Sequence, residues 1–139
     1  MRQGQDTITV STPGPGLHDI TGTIAAWVSR QEIVTGLLTI FCRHTSASLT
    51  IQENADPDVR RDLESFFAAI APAESRRYRH TAEGPDDMPA HIRSALTDVN
   101  LTIPVRDGRL ALGTWQGVFL FEHRSQPHRR QLILHLIGS

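Results

Sequence analysis

The chain has 139 residues, of which 39% are hydrophobic and 21% are charged, and its formal net charge at pH 7 is −1. This length suits one domain with a single core, and the composition is typical of a folded soluble protein. Because the net charge is close to zero, we expect neither nucleic acid nor a membrane as a partner. No apolar segment approaches the roughly 20 residues that a membrane helix needs.

The basic and sulfur-containing residues narrow the possible chemistry. All 14 basic residues are arginine, which excludes a lysine Schiff base and leaves anion recognition to guanidinium groups. The single cysteine, Cys42, cannot form an internal disulfide and lies in an apolar segment. We therefore expect a buried small hydrophobic residue in a reducing compartment. Together with a polar start at residues 1–7, which is unlike a secretory signal, this predicts the cytoplasm.

Strands and a helix alternate in the first part of the chain. Residues 7–10 alternate as a strand, and apolar residues recur at helical spacing within 19–30. Ile33–Arg43 is rich in β-forming residues, and its nearly continuous apolar run over 37–42 is typical of a strand covered on both faces. After a bend at 44–48, Leu49 and Ile51 predict that the strand continues.

Two helices follow, each with a proline near its start. Asp56 is a predicted N-cap with Pro57 at the first helical position, and an apolar face continues to Pro72. Residues 71–89 have little periodicity, so they predict a loop that contains a short strand at 77–81. The next helix is predicted from Pro89.

The last third of the chain is predicted to be all β. Segments 101–105 and 110–114 alternate around Asp107-Gly108, which is typical of a type I′ hairpin turn. Two more strands are predicted at 115–124 and 131–137. The order β-α-β-β-α-(β)-α-β-β-β-β predicts a single α+β domain over residues 1–139, with a mostly antiparallel β-sandwich core flanked by helices.

A cluster of hydroxyl groups interrupts the strand pattern beside His44. Thr45, Ser46 and Ser48 lie within four residues, which a packed core does not need. Hydroxyls and free backbone N–H groups at a strand end are suitable donors to a phosphate. The alternative is a Thr/Ser-rich edge strand without a ligand.

Three histidines are the strongest candidates for a reactive centre: His44, His80 and His91. If they converge as neutral imidazoles, they would form a zinc-type site with an open coordination position. The chain has no His-x-x-x-His or His-Glu-x-x-His spacing that would require this arrangement, and each histidine could instead be structural. A divalent metal, zinc or magnesium, is therefore one hypothesis.

Other polar residues could complete such a site. Glu53, between a strand and a helix start, is the candidate general base or orienting acid. Two glycines flank Thr114-Trp115-Gln116 within a predicted strand, so Trp115 could stack on a flat ring while Gln116 contacts its edge. Arg124 is a candidate anion-binding residue. The alternatives are a core or subunit-contact role for Trp115 and a solvated charge cluster around Arg124.

Several motifs together resemble the YjbQ-like family, some members of which are called secondary thiamine-phosphate synthases. The segments that carry this resemblance are His44-Thr45-Ser46-Ala47-Ser48-Leu49-Thr50, Glu53-Asn54 with Asp56-Pro57, Glu83-Gly84-Pro85-Asp86-Asp87-Met88-Pro89-Ala90-His91-Ile92, Gly108-Arg109-Leu110, Gly113-Thr114-Trp115-Gln116-Gly117 and Glu122-His123-Arg124.

The resemblance implies a β-sandwich subunit that assembles as a homotrimer, with a pocket near a subunit boundary. It favours His44, His80 and His91 as the polar centre of that pocket. The roles that we expect are metal ligands or proton-transfer groups for His44 and His91, and a third metal ligand for His80. Glu53 would be their orienting acid. Thr45, Ser46 and Ser48 would be phosphate donors, and Trp115 and Gln116 would be pocket walls.

The resemblance also implies a reaction, which joins a hydroxymethylpyrimidine diphosphate to a thiazole phosphate and releases pyrophosphate. The leading hypothesis is therefore an enzyme that acts on phosphorylated small molecules. The alternatives are a metal-assisted phosphohydrolase that uses the same histidines, and a non-catalytic trimeric module that binds a phosphorylated ligand or a metal.

Overall fold

Two antiparallel sheets packed face to face form the centre of the structure, and three helices accompany them. The computed structural model describes residues 1–139. Its elements are β1 Arg2–Thr12, β2 Gly16–Asp19, α1 Thr21–Arg30, β3 Gly36–Cys42, β4 Ala47–Glu53, α2 Pro57–Ile70, α3 Asp87–Leu96, β5 Asn100–Arg106, β6 Arg109–Leu110, β7 Gln116–Glu122 and β8 His128–Gly138.

The larger sheet has the strand order β1-β8-β3-β5-β6, and the smaller sheet has the order β2-β7-β4. Every strand pair is antiparallel. The predicted α+β class with an antiparallel sandwich is therefore confirmed. None of the helices is both long and apolar enough to span a membrane.

The main core lies between the sheets and is closed by α1. Alternation directs Leu38 and Ile40 of β3 inward, where they meet Val118 and Leu120 of β7. Helix α1 adds an apolar stripe of three buried residues, Ile24, Trp27 and Val28. The helical spacing seen in the sequence is thus the result of one face of α1 packing on the sandwich.

Helix α2 covers the opposite face of the smaller sheet. Its N-terminus is built as predicted, because the Asp56 side chain accepts a hydrogen bond from the backbone N–H of Asp58 at 2.9 Å, and Pro57 follows the cap. Leu63 and Phe67 pack against a small cluster of Leu17, Phe119 and Phe121. The central strand β7 is therefore buried on both faces, unlike the strands beside it.

Several local predictions differ from the structure. The predicted strand at 77–81 is wrong: residues 75–77 form a 3₁₀ turn, and no strand follows before α3. Strand β2 was not predicted, because its four residues directly follow a Pro/Gly segment. Strand β3 is not covered on both faces within the subunit, since Leu37 and Phe41 are 45% and 43% exposed.

The Asp107-Gly108 hairpin joins β5 and β6 as predicted. Both turn residues have positive φ, 53° for Asp107 and 74° for Gly108, which is the requirement of a type I′ turn. Strand β6 is only two residues long, because the chain leaves the sheet after Leu110.

A buried ion pair connects the strands at one end of the sandwich. The guanidinium of Arg130 binds both carboxylate oxygens of Glu122, through Nε at 2.7 Å and through Nη2. The hydroxyl of Thr12 donates to the same carboxylate at 2.6 Å. Burial alone would raise the pKa of Glu122, but the hydrogen bonds from Arg130 and Thr12 outweigh burial and lower that pKa. Strands β1, β7 and β8 are thereby fastened together.

A buried histidine lies beside this pair. Nε2 of His123 shares a hydrogen bond of 2.9 Å with the hydroxyl of Ser48, and the side chain of Thr97 contacts the same hydroxyl at 2.5 Å. His123 is 1% exposed. Burial, followed by the positive charge of Arg93, lowers the pKa of His123 to about 3. His123 is therefore neutral at physiological pH.

A close backbone approach predicts a measurable packing effect at Gly36. A Cβ atom at Gly36 would lie 2.6 Å from the carbonyl oxygen of Ile137 in the adjacent strand, whereas a Cβ atom at Gly22 would contact nothing within 4 Å. We expect Gly36→Ala to lower the free energy of unfolding by about 2 kcal/mol, because backbone must move. Gly22→Ala, the matched control in α1, should be neutral or slightly stabilising. Equal denaturation midpoints for the two variants would contradict this packing.

The buried neutral imidazole of His123 predicts acid sensitivity. The folded-state pKa of His123 lies below the unfolded value near 6.5. The contribution of His123 to the stability of the folded state is therefore complete above about pH 6.5 and is lost as the pH falls toward 3. At pH 5 the loss due to His123 is about 2 kcal/mol. His123→Gln should therefore show a smaller fall in the free energy of unfolding between pH 7 and pH 5, measured by urea denaturation. His135→Gln, on the larger sheet, is the control and should keep the wild-type slope.

Candidate functional site

Two histidines converge on one buried carboxylate. Nε2 of His80 lies 2.6 Å and Nε2 of His91 lies 3.1 Å from the same oxygen, Oδ2 of Asp87. The ligand atoms of these three side chains all lie within 4.8 Å of one another. The Asp87 side chain is 3% exposed, whereas those of His80 and His91 are 41% and 36% exposed. A solvent-facing pair of imidazoles thus lies over a buried acid.

The start of α3 produces this geometry. The helix begins at Asp87, so Asp87 and His91 are four residues apart and share one face of the helix. His80 comes from the preceding loop, where Gly84 adopts a φ of 103° that favours glycine. The loop is tied back by Tyr78, whose hydroxyl donates to the carbonyl of Pro72 at 2.8 Å.

Arg124 holds the acidic side of the site. Its guanidinium donates to Oδ1 of Asp87 at 2.7 Å, to Oδ2 of Asp86 at 3.0 Å and to the carbonyl of Glu83 at 2.9 Å. Burial would raise the pKa of Asp87, but the hydrogen bond from His80 and the charge of Arg124 outweigh it, and the pKa is lowered. The guanidinium of Arg124, predicted to bind an anion, is thus already engaged by two carboxylates and one carbonyl.

The donor set of this cluster fits a divalent metal. Two imidazole nitrogens and one carboxylate oxygen are the ligand types of catalytic zinc sites, which leave a further position open. Because Arg124 holds Oδ1, Oδ2 is oriented toward the histidines as a single ligand atom. Zinc is the better match of the two predicted metals, since magnesium prefers oxygen ligands.

A cavity of about 260 Å³ adjoins the cluster at His91. Its walls come from the hydroxyl segment and from α3: His44, Thr45, Ala47, Ser48, His91, Ser94, Ala95 and Val99. Thr45 is exposed, whereas Ser48 is buried and bonded to His123, and Ser46 accepts a hydrogen bond from Arg130 at 3.0 Å. Of the three predicted phosphate donors, Thr45 is therefore the one free to meet a ligand without rearrangement.

His44 lines this cavity but does not belong to the group of His80, Asp87 and His91 that could hold a metal ion. Its Nε2 accepts a hydrogen bond of 2.8 Å from the backbone N–H of Gln131, and its Nδ1 lies 3.5 Å from Nη1 of Arg130. Burial, followed by the charge of Arg130, lowers the pKa of His44. The structure thus brings His80 and His91 together but keeps His44 as a neutral wall residue instead of a third ligand.

Glu53, Trp115 and Gln116 lie at the opposite end of the smaller sheet. In the register of β4 and β7, Glu53 pairs with Gln116, whereas Ala47 pairs with Glu122. The five residue steps from Ser48 to Glu53 span roughly 17 Å of strand. Trp115 is 63% exposed. These residues therefore do not join the histidines within one chain. They lie at one end of the β4–β7 pair, and the hydroxyl segment lies at the other end, a full strand length away.

Three residues of the site were not expected from the sequence. Asp87 had no assigned role in the site, because the helix was predicted to begin at Pro89; its spacing of four residues from His91 becomes informative once α3 begins at Asp87. His123 belonged to a segment expected to be solvated, and its burial follows from the position of β7 in the centre of its sheet. Arg130 carries no local signal, because its partners are distant in sequence.

The sequence matches a known family over almost its entire length. The family model described as UPF0047 protein YjbQ-like matches residues 6–139. The chain is 58% identical over 138 residues to a UPF0047 protein of Synechocystis, covering 99% of this chain and 94% of that protein. It is 48% identical over 136 residues to the UPF0047 protein YjbQ of Salmonella typhimurium, covering 97% and 98%.

A solved structure agrees with this assignment. A conserved hypothetical protein from Thermus thermophilus superimposes with a TM-score of 0.85 at 39% identity, covering 95% of this chain and 99% of that chain. Sequence, motifs and fold point to the same relatives. The chain belongs to the YjbQ-like UPF0047 family.

Proposed function

We propose that the protein is a metal-dependent enzyme that acts on a phosphorylated small molecule. The observation that carries the proposal is the buried carboxylate of Asp87 between His80 and His91, next to a cavity with a hydroxyl-rich wall. A purely structural histidine pair would not need an adjoining concave surface lined by polar groups.

His80, Asp87 and His91 would hold the ion. A divalent metal supplies Lewis-acid polarisation of a phosphoryl oxygen and lowers the pKa of coordinated water. Arg124 keeps Asp87 ionised and oriented through the 2.7 Å contact to Oδ1. Thr45 would donate its hydroxyl hydrogen to a phosphate oxygen in the cavity, and neutral His44 would form the opposite wall.

Thiamine-phosphate formation is the specific reaction that the family resemblance suggests. In that reaction the hydroxymethyl carbon of the pyrimidine forms a bond to the thiazole nitrogen while its bond to the diphosphate oxygen breaks. The metal-competent cluster supports it, because a divalent ion would stabilise the departing pyrophosphate.

The size of the cavity favours a second candidate, a phosphohydrolase. About 260 Å³ is below the 300–1,000 Å³ typical of ligand pockets, so one subunit accommodates a phosphorylated fragment more readily than two substrates together. Hydrolysis of a single phosphate ester needs only that fragment and water.

We further propose a homotrimer in the cytoplasm, as the resemblance and the lone Cys42 suggest. The outer face of the larger sheet supports self-association, because Leu37 and Ile137 are register partners there and are 45% and 40% exposed. A partner subunit could also bring Glu53 and Trp115 toward the cavity. Size-exclusion chromatography with light scattering tests the assembly.

Metal binding and turnover can be tested with variants of the cluster. Asp87→Asn and His91→Ala should each lower zinc affinity by at least 100-fold, measured by competition with a chromophoric chelator, because each removes one of three ligands. His135→Ala removes a histidine elsewhere and should keep the wild-type affinity.

The same variants separate the candidate reactions. Purified zinc-loaded protein is incubated with hydroxymethylpyrimidine diphosphate and thiazole phosphate, and with phosphate monoesters alone. Thiamine phosphate formation that His91→Ala abolishes supports the synthase, and inorganic phosphate release without a new C–N bond supports the hydrolase. Tight zinc binding without any product would contradict both enzymes and leave the non-catalytic module. Turnover unchanged in His91→Ala would exclude this cluster as the active site.

A further inference from the structure

A second cavity, of about 210 Å³, lies between α2, α3 and β7. Glu64, Phe67, Arg93 and Phe121 provide its principal side chains. Arg93 is two residues beyond His91 in α3, which places the two side chains roughly 200° apart around the helix. The cavity therefore opens on the other side of α3 from the histidine cluster.

Arg93 is an inward-facing arginine without an acidic partner. Its guanidinium donates one hydrogen bond, from Nη2 to the carbonyl of Ala71 at 2.8 Å, and its buried Nε has no partner. Arg124 and Arg130 point inward as well, and each is paired with carboxylates. Burial lowers the pKa of Arg93. A partly buried guanidinium usually has its charge balanced, so Arg93 offers donors to an anion.

Arg93 forms no salt bridge, although Glu64 and Glu122 line the same cavity and the charge of Asp86 acts on the guanidinium. The nearby carboxylate of Glu122 already accepts hydrogen bonds from Arg130, from Thr12 and from two backbone N–H groups. His123 leaves its buried Nδ1 without a partner, and the charge of Arg93 contributes to the lowered pKa of that imidazole. The buried Nε–H of Arg93 is thus a donor without a partner on this side of α3, where an anion would be stabilised.

The remaining walls determine what kind of anion fits. Phe67 and Phe121 form an edge-to-face pair with ring centroids 5.3 Å apart, and they give the cavity an apolar, aromatic side. Oε1 of Glu64 accepts a hydrogen bond from the backbone N–H of Leu17 at 2.9 Å, so this carboxylate is held in the wall. Its negative charge disfavours a ligand with several charges.

We propose that this cavity binds a small monocarboxylate with an aromatic or branched apolar body. The carboxylate would pair with the guanidinium of Arg93, for which planar bidentate geometry is well suited. The apolar body would pack against Phe67 and Phe121. This site is separate from the proposed metal site, because it lies on the other side of α3.

Benzoate is a suitable probe, because it combines one carboxylate with an aromatic ring. Titration into ¹⁵N-labelled protein should shift the Arg93 Nε–H resonance, and calorimetry measures the dissociation constant. Arg93→Gln should weaken benzoate binding at least tenfold, and Arg93→Lys, which keeps the charge, should weaken it less. Arg61→Gln is the matched control, because Arg61 is an exposed arginine on α2 that pairs with Asp58.

Glu64→Gln provides a test with the opposite sign. Glutamine retains an oxygen for the N–H of Leu17 but removes the negative charge, so benzoate should bind severalfold more tightly. A loss of structure alone would weaken binding instead. Benzylamine, which has the same ring and a positive charge, should not compete.

The outcomes are independent of the metal site. Benzoate binding should persist in His91→Ala and in the presence of a chelator, so failure of the proposed enzyme activity does not affect it. Melting temperatures of the Arg93 variants identify any that do not fold. The proposal is overturned if folded Arg93→Lys and Arg93→Gln bind benzoate as tightly as the wild type, or if saturating benzoate leaves the Arg93 Nε–H resonance unchanged.

Discussion

The ion pair between Glu122 and Arg130 is the contact on which the rest of the site depends. Both side chains are almost completely buried, and removing one partner of such a pair typically costs 3–5 kcal/mol because the other charge is left unpaired. The pair also positions functional groups on two sides. Arg130 donates to the carbonyl and hydroxyl of Ser46 in the hydroxyl segment, and Glu122 accepts from the backbone N–H of Arg124, which in turn holds Asp87. One buried interaction thus aligns the cavity wall with the acidic side of the histidine cluster.

Helix α3 contributes residues to three places: the histidine cluster, the wall of the adjoining cavity and the Arg93 cavity. Its first turn carries Asp87 and His91 toward the loop that contains His80, and Ser94 and Ala95 form part of the cavity wall. Arg93 faces away from the cluster, toward α2. Because the helix is short and tied at both sides, a displacement of α3 would alter the metal ligands and the Arg93 cavity together. Any coupling between the two sites would therefore pass through rigid movement of this helix.

Local chemistry accounts for the parts of the structure that the sequence predicted. Asp107-Gly108 specifies its turn through positive φ, and Asp56-Pro57 specifies a helix start, so neither depends on distant contacts. The hypothesis of three converging histidines is met by His80 and His91 but not by His44. Their common partner Asp87 was not expected, because starting α3 at Pro89 removed it from the helix. Glu53 was grouped with the histidines because it lies between a strand and a helix start. Strand direction carries it roughly 17 Å from Ser48, and no local pattern reveals strand direction. Arg130 and His123 act through partners dozens of residues away, so only the tertiary structure identifies them.

The contacts around Asp87 also explain how one carboxylate can serve two purposes. Its Oδ1 is held by Arg124, and its Oδ2 meets both imidazoles through Nε2. In this arrangement the histidines are donors to Oδ2, whereas ligation requires each imidazole to offer a lone pair. A cation entering the cluster must therefore exchange two hydrogen bonds for three coordinate bonds, while the contact to Arg124 can remain in place. The guanidinium leaves Asp87 a single oxygen for a ligand and keeps the carboxylate from rotating, so the buried acid would be aligned in advance for the proposed metal ion.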